Sequence, residues 1–252
     1  MLPIGDDNSD RRILPVVNIA FIVVNIIVFV FLQGLGGNEE FTMAYAAVPA
    51  EIISGQDVAT QNSAVQDPST GETVRVLGLQ LTPIPVYLTL LTSMFMHGGF
   101  MHIAGNMLYL WIFGDNIEDR LGHARYFLFY IVVGVLAALA HVFSTVAFGG
   151  NPYIPMVGAS GAISGVLGGY LLLFPRKRVR VLMFNMLTEV PAIAAIGLWF
   201  VLQLLSGAGS IGSEGGGVAY AAHIGGFIAG LVLVKMFAAS RREPDVFIGR
   251  TR

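Results

Sequence analysis

The chain has 252 residues, of which 55% are hydrophobic and only 12% are charged; its net charge is −2 and it contains no cysteine. Soluble domains carry about a quarter charged residues, so this composition indicates an integral membrane protein. The near-neutral charge argues against a nucleic-acid partner, which would need a basic face. The lack of cysteine excludes disulfides, thiolate metal sites and thiol catalysis.

The first apolar block, residues 13–33, follows Arg11 and Arg12. Its length of about 20 residues is enough to cross the hydrocarbon once. No small-x-small cleavage site follows it, so we predict a retained span rather than a removed leader. Asn18 and Asn25 lie seven residues apart on this span, and we expect them to hydrogen-bond to other helices.

Glycine and proline clusters divide the apolar sequence into six predicted spans. The second and fourth spans look short, and short helices in a bundle are usually shielded from lipid by longer neighbours. The fold class that we predict is an all-α polytopic membrane protein, a bundle of six transmembrane helices. The predicted spans are residues 13–33, 101–117, 125–148, 160–174, 188–207 and 218–239.

A long segment, residues 34–100, joins the first two spans. Its polar part, residues 54–76, is interpreted as a flexible or inserted part of the loop. The flanks, 41–48 and 77–92, carry aromatic residues suited to the membrane interface. Loops of this length are usually functional or disordered, and the sequence does not choose between the two.

Lysine and arginine residues set the predicted orientation. All except Arg75 fall near the N-terminus, in the turn 118–125, in the run 176–180 or from Lys235 onward. With six spans these positions share one side, so both termini are predicted to be cytoplasmic and the run 176–180 to contact lipid phosphates. The predicted organisation has three parts. Residues 1–12 are a short cytoplasmic N-terminus, residues 13–240 are a six-helix membrane domain that includes the outer loop 34–100, and residues 241–252 are a cytoplasmic tail.

Ser160 and His223 form the predicted catalytic pair. In this topology spans four and six both start at the outer side, and at about 1.5 Å per residue the two side chains reach a similar depth. Polar groups at such a depth usually face a cavity. A neutral imidazole can take the proton of a serine hydroxyl and make it a nucleophile. No aspartate or glutamate occurs at that depth, so we expect a dyad rather than a triad.

His102 and Asn106 are the candidate oxyanion donors. They are four residues apart on span two and therefore share a helix face, from which both can donate to a tetrahedral intermediate. The alternative is that they tie the loop to the helix. Backbone N–H groups at the start of span four can add to the same site.

Other residues are assigned structural roles. His97 is expected to hold the loop at the start of span two, and Glu118 and Arg120 to cap and staple the turn after it. His123 and His141 are interpreted as non-catalytic. Trp199 and Phe200 either gate the site or face lipid, and we prefer the second. The spacing of four glycines predicts close packing of spans four and six, although the pattern alone is a weak signal. These glycines are Gly161, Gly165, Gly226 and Gly230.

Four segments together resemble the rhomboid family of intramembrane serine proteases, over about residues 90 to 240. The resemblance implies a six-helix core in which Ser160 is the nucleophile, His223 is the base, and His102 and Asn106 help to bind the oxyanion. It also implies that the substrates are transmembrane segments, which enter between helices and are cut near the outer face. The segments are His97-Gly-Gly-Phe-Met-His102-Ile-Ala-Gly-Asn106, Glu118-Asp-Arg120-Leu-Gly122, Gly158-Ala-Ser160-Gly161 and Ala222-His223-Ile-Gly-Gly226-Phe-Ile-Ala-Gly230.

Two positions depart from the family pattern. Many relatives carry a Trp-Arg pair in the outer loop, where this chain reads Tyr87-Leu-Thr-Leu. Relatives also often have an aromatic residue four positions after the serine, stacked on the base, where this chain has Ser164. Another group must therefore orient His223.

The leading prediction is an intramembrane serine endopeptidase in a prokaryotic cytoplasmic membrane, with no cofactor and no metal, although a eukaryotic organelle stays open. The alternative is a rhomboid-fold protein that binds membrane clients without cutting them, but such relatives typically lack the serine or the histidine. A transporter would show inverted repeats, and a metalloprotease a His-Glu-x-x-His motif; neither pattern is present. The sequence does not identify the substrate, the cleaved bond or the oligomeric state.

Overall fold

A computed structural model describes residues 1–66, 73–183, 185–210 and 219–238 of the protein. Its architecture is mostly helical. The predicted tail, 241–252, lies outside the described residues. The helices are α1 (Val16–Ile27, continued by a π-helical turn Val28–Leu32), α2 (Glu39–Tyr45), α3 (Pro49–Ser54), α4 (Thr89–Thr92), α5 (Phe100–Leu121), α6 (His123–Ala147), α7 (Ser160–Leu173), α8 (Ala192–Ser210) and α9 (Tyr220–Ala238).

Six of these helices, α1 and α5 to α9, correspond to the predicted spans, with shifted ends. Helix α7 is short, as predicted, with 14 residues. Helix α5 is not, because it continues through a polar end to 22 residues. By length and composition, three helices of the described chain could cross a bilayer on their own: α6, α8 and α9. Helices α1 and α7 are apolar but shorter.

The expectation of an all-α fold is corrected by five short strands among the described residues. Strands β2 (Ser63–Gln66) and β3 (Thr73–Val76) form a hairpin within the predicted polar loop; residues 67–72 of that loop lie outside the described residues. The other three form one antiparallel sheet in the order β1-β4-β5. They are β1 (Leu2–Asp6), β4 (Arg178–Met183) and β5 (Met186–Pro191).

The three-stranded sheet lies beyond the C-terminal end of α7, opposite to Ser160, and we call this end of the bundle the sheet face. Two buried valines, Val179 and Val181, alternate with exposed arginines along β4, which is the period of a half-buried strand. The predicted lipid-phosphate run is therefore partly a strand, and Lys177 binds the Asp10 carboxylate at 2.6 Å. Strand β5 also occupies the predicted start of span five, so that α8 begins at Ala192.

Asp6 fastens the end of β1 to the helices. Its Oδ2 accepts hydrogen bonds from the Tyr170 hydroxyl of α7 at 2.6 Å and from Asn116 Nδ2 of α5 at 2.8 Å. The side chain is buried, and its burial raises the pKa of the carboxyl group to about 7. Asp115 and Asp7 act in the same direction, and Lys177 in the opposite one.

This raised pKa predicts that the docking of β1 is pH-dependent. The folded-state pKa of about 7 lies above the ordinary value of 3.8, so the contribution of Asp6 to stability is lost as the pH rises through 7 and is regained as it falls towards 4. Asp6→Asn keeps a neutral acceptor and should flatten the change in thermal midpoint between pH 5 and pH 8. Asp7→Asn, at an exposed neighbour that makes the smallest of the contributions to the raised pKa of Asp6, should retain most of that change; an equal pH dependence in all three proteins would contradict the prediction.

Helix α1 is held at the sheet face by α5. Buried Glu118 accepts hydrogen bonds from the backbone N–H groups of Val17 at 2.9 Å and Asn18 at 2.7 Å, and lies 2.5 Å from His123 Nδ1. These N–H groups have no intrahelical partner at the start of a helix. Arg120 is exposed.

The two predicted interhelical asparagines behave differently. Asn18 donates to the Leu110 carbonyl at 2.9 Å and accepts from the Tyr126 hydroxyl at 2.7 Å, so it joins α1 to α5 and α6 as predicted. Asn25 instead donates to the Phe21 carbonyl of its own helix at 2.7 Å.

Helices α7 and α9 are in direct backbone contact. A Cβ atom at Gly226 would lie 2.2 Å from the Gly161 carbonyl oxygen, and one at Gly230 only 1.9 Å from the Gly165 carbonyl oxygen. Only glycine permits so close an approach of two helices. This contact brings Ser160, the first residue of α7, close to the first turn of α9.

Candidate active site

Ser160 begins α7 directly after a tight turn that contains Gly158. Gly158 has a φ of +131°, a conformation that favours glycine, and its N–H donates to the Ser93 carbonyl at 2.9 Å. A Cβ atom at this position would lie 3.0 Å from the ring of His102 and 3.5 Å from Ser160 Oγ. The glycine therefore lets the turn pass between the serine and the histidine of α5.

His223 lies in the first turn of α9 and faces Ser160. Its Nε2 is 2.8 Å from Ser160 Oγ, and its Nδ1 is 2.8 Å from Gln203 Oε1 of α8. The side chain is 9% exposed. Since both nitrogens of the imidazole are engaged, the ring has one orientation, with a hydroxyl on one side and an amide oxygen on the other.

Ser164 takes no part in orienting the imidazole. Its hydroxyl donates to the Ser160 carbonyl at 2.6 Å. The aromatic neighbours of His223 come from elsewhere: the ring centroid of Trp199 lies 6.2 Å away and that of Tyr220 lies 6.4 Å away.

The interpretation that Trp199 and Phe200 face lipid was wrong. Phe200 stacks on Phe227 of α9 with ring centroids 4.1 Å apart, and Trp199 lies 6.2 Å from the same ring. Both side chains are only partly exposed. Gln203, four residues after Trp199, continues this inward stripe of α8. Sequence reasoning missed Gln203, although a single amide within an apolar helix is a signal.

His102 and Asn106 lie on the cavity side of α5. His102 Nδ1 accepts the Gly98 N–H at 3.2 Å, so that in the neutral ring the proton is on Nε2, the atom that lies beside Gly158. Asn106 is 7% exposed, and its Nδ2 has no hydrogen-bond partner among the described residues. Two N–H donors thus remain available on one helix face near the serine.

The loop that carries His97 is fixed from α1. The Gln33 side chain accepts the His97 N–H at 2.8 Å and donates to the His97 carbonyl at 3.0 Å. The imidazole of His97 is buried, 5.2 Å from the ring of His102 in an edge-to-face arrangement. Gln33, the second functional residue that sequence reasoning missed, therefore supports the start of α5.

The serine opens into a cavity of about 1450 Å³ among helices α5 to α9. No cluster of three histidine, aspartate or glutamate side chains in the described part of the chain could hold a metal ion. Glu118 and Arg120 lie at the sheet face, at the far end of α5 from His102. The polar side chains that line the cavity include His102, Asn106, His141, Ser160 and His223.

These observations define a class: a helical membrane protein in which a serine hydroxyl and an imidazole meet inside the bundle. A family model described as Rhomboid domain matches residues 85–240, more than half of the chain. The chain therefore belongs to the rhomboid family and is an integral membrane protein.

Several curated proteins are similar to this chain. It is 31% identical over 160 residues to Rhomboid protein 1, mitochondrial, of Saccharomyces cerevisiae, covering 61% of this chain and 43% of that protein. It is 35% identical over 139 residues to Rhomboid protease GluP of Bacillus subtilis, covering 54% of this chain and 26% of that protein. Human presenilin-associated rhomboid-like protein, mitochondrial, is 34% identical over 99 residues, which cover 39% of this chain and 26% of that protein. The similar region thus spans less than half of each relative.

Proposed function

We propose that this protein is an intramembrane serine endopeptidase that cleaves transmembrane segments of other membrane proteins. The observation that carries the proposal is the 2.8 Å separation of Ser160 Oγ and His223 Nε2 beside a cavity. A serine hydroxyl needs such a base to become a nucleophile. Family membership and the similarity to a bacterial protein named a rhomboid protease support the reaction class.

The two residues account for a complete hydrolysis. Ser160 Oγ attacks the carbonyl carbon of the scissile bond while its proton passes to His223 Nε2. The tetrahedral intermediate collapses when the same proton is given to the leaving amine, which breaks the C–N bond and leaves an acyl-serine. His223 then takes a proton from water, the hydroxide attacks the ester, and the proton returns to Ser160 Oγ.

The oxyanion of each intermediate is stabilised by donors from two helices. Asn106 Nδ2 supplies one N–H and His102 Nε2 supplies another. The N–H groups of the first turn of α7 have no intrahelical partners and carry the positive end of the helix dipole. Donors already in place stabilise developing charge without reorganising.

Asn106→Ala tests this assignment. Loss of one oxyanion donor lowers kcat by about 10²- to 10³-fold, and because the donor acts on the intermediate, KM should change little. Asn151→Ala is the matched control, since Asn151 lines the same cavity but its side chain accepts the Tyr153 N–H at 2.9 Å. Equal kinetics in the two variants, or an effect of Asn106→Ala on KM alone, would contradict the oxyanion role.

The proposal includes a topology. Helices α1 and α5 to α9 each cross the bilayer, both termini face the cytoplasm, and the cavity beside Ser160 opens near the outer side of a prokaryotic cytoplasmic membrane. The distribution of lysine and arginine supports this orientation. The mitochondrial relatives make an organelle membrane the competing location. Longer neighbours shield the short α7 from lipid.

Cleavage of a model single-span protein by the purified protein in liposomes tests the function, with Ser160→Ala as the background. The proposal predicts a cut near the outer face by wild type and none by the variant. The alternative, a client-binding protein without protease activity, predicts that wild type retains the model substrate on co-purification but never cuts it.

A further inference from the structure

We infer that Gln203 is a positioning residue for the catalytic base, so that α8 contributes a third group to the Ser160–His223 site. The inference rests on the proposed function, because it assigns to Gln203 the orientation and the tautomer of His223. It also explains what orients His223 in this chain, since Ser164 has no aromatic ring that could stack on the base.

The tautomer follows from hydrogen-bond chemistry. A neutral imidazole carries one proton, and the nitrogen that accepts the serine proton must be the bare one. With Nε2 facing Ser160 Oγ at 2.8 Å, the proton must be on Nδ1, and Nδ1–H needs an acceptor. Gln203 Oε1 lies 2.8 Å from Nδ1 and is a neutral acceptor.

Gln203 is the group near His223 that can accept the Nδ1–H hydrogen bond. Among the described residues that line the cavity there is no carboxylate. The two rings near His223, Trp199 and Tyr220, lie more than 6 Å away between centroids, so they confine the imidazole but do not select its protonated nitrogen. The amide thus occupies the position that a carboxylate holds in a serine–histidine–aspartate triad.

The hydrogen bond between Gln203 and His223 depends on how α8 packs against α9. Of the three long apolar helices, α8 has the smallest buried share. Leu202, Leu204 and Leu205, which flank Gln203, are exposed, whereas Gln203 is on the inward stripe with Trp199. A polar side chain in an apolar helix needs a partner, and His223 is that partner only while α8 packs against α9.

The experiment compares two substitutions of similar size. Gln203→Met removes the acceptor, and Gln203→Glu restores one; Leu205→Met, on the exposed side of the same helix, is the control. Cleavage in liposomes gives kcat and KM, and a serine-directed fluorophosphonate gives the labelling rate of Ser160. We expect Gln203→Met to lower kcat and the labelling rate about 10- to 100-fold with KM unchanged, a smaller loss than removal of a charged triad partner causes. Gln203→Glu should stay within about fivefold of wild type.

A second measurement is made on the wild-type protein and does not depend on how the Gln203 variants fold. In wild-type protein labelled with ¹⁵N-histidine, the His223 resonances should report a protonated Nδ1 and a bare Nε2, with the assignment taken from the signals lost in His223→Ala. A protonated Nε2, or a Gln203→Met protein that labels at the wild-type rate, would overturn the inference. So would a Gln203→Glu protein as slow as Gln203→Met. If wild type itself neither labels nor cuts, the proposed function fails, which is a different result.

Discussion

His223→Ala is expected to lower the rate of cleavage by about four orders of magnitude or more. In a serine hydrolase the base and the nucleophile act as one unit, so the loss of either removes most of the catalysis. Here Nε2 of His223 is 2.8 Å from Ser160 Oγ, and the described residues provide no other hydrogen-bond partner for that hydroxyl. Single-turnover cleavage in liposomes, where binding and chemistry separate, is the measurement.

His141→Ala is the matched control for this prediction. His141 lines the same cavity as His223 and is also partly buried in a helix, but within the described part of the chain its side chain forms no hydrogen bond with the serine. Its removal should change the rate by no more than a few-fold. A comparable loss in both variants, or a His223→Ala protein that still cuts at the wild-type rate, would refute the assignment of the base.

Gly230→Ala is expected to disrupt the packing of α7 on α9. The new Cβ atom would lie 1.9 Å from the Gly165 carbonyl oxygen, and backbone atoms cannot rotate out of the way as a side chain can. Retreat of α7 is opposed on its other side, where a Cβ atom at Gly165 would already lie 2.5 Å from Val133 Cγ2. We expect a loss of about 3 kcal/mol or more, at the upper end of overpacking effects, and a loss of activity because Ser160 and His223 would separate.

The thermal midpoint in detergent and the cleavage rate measure this effect together. Gly197→Ala serves as the control, since a Cβ atom on this residue of α8 would meet nothing within 4 Å and alanine is the better helix former. Its midpoint should equal or slightly exceed that of wild type. A Gly230→Ala protein that melts and cleaves like wild type would show that the two helices do not need backbone contact.

The helices could be predicted from the sequence because long apolar runs with glycine and proline breaks have few other structures available. The three-stranded sheet could not, since β1 and β4 are far apart in the chain and each is short. The charge of the run around Arg178 and Arg180 predicts a contact with lipid phosphates, whereas the alternation of these arginines with Val179 and Val181 is the pattern of a strand. The length of α5 was underestimated because its polar end, around Glu118, is buried by α1 and not by lipid.

The residues of the candidate site differ in how far the sequence could identify them. Ser160 and His223 stand in distinctive glycine-rich segments, so each could be named without coordinates. Gln203 and Gln33 stand alone in apolar surroundings, and their partners are 20 and 64 residues away in the chain. Which face of α8 turns inward depends on contacts of Trp199 and Phe200 with α9, and the periodicity of a helix that is apolar all round does not reveal that face.

Mass spectrometry of the protein after reaction with a fluorophosphonate tests the central claim most directly. The account predicts one covalent adduct, on the Ser160 hydroxyl, which disappears in Ser160→Ala together with cleavage of a transmembrane substrate. An adduct on another serine such as Ser164, or cleavage that persists in a folded Ser160→Ala protein, would contradict it.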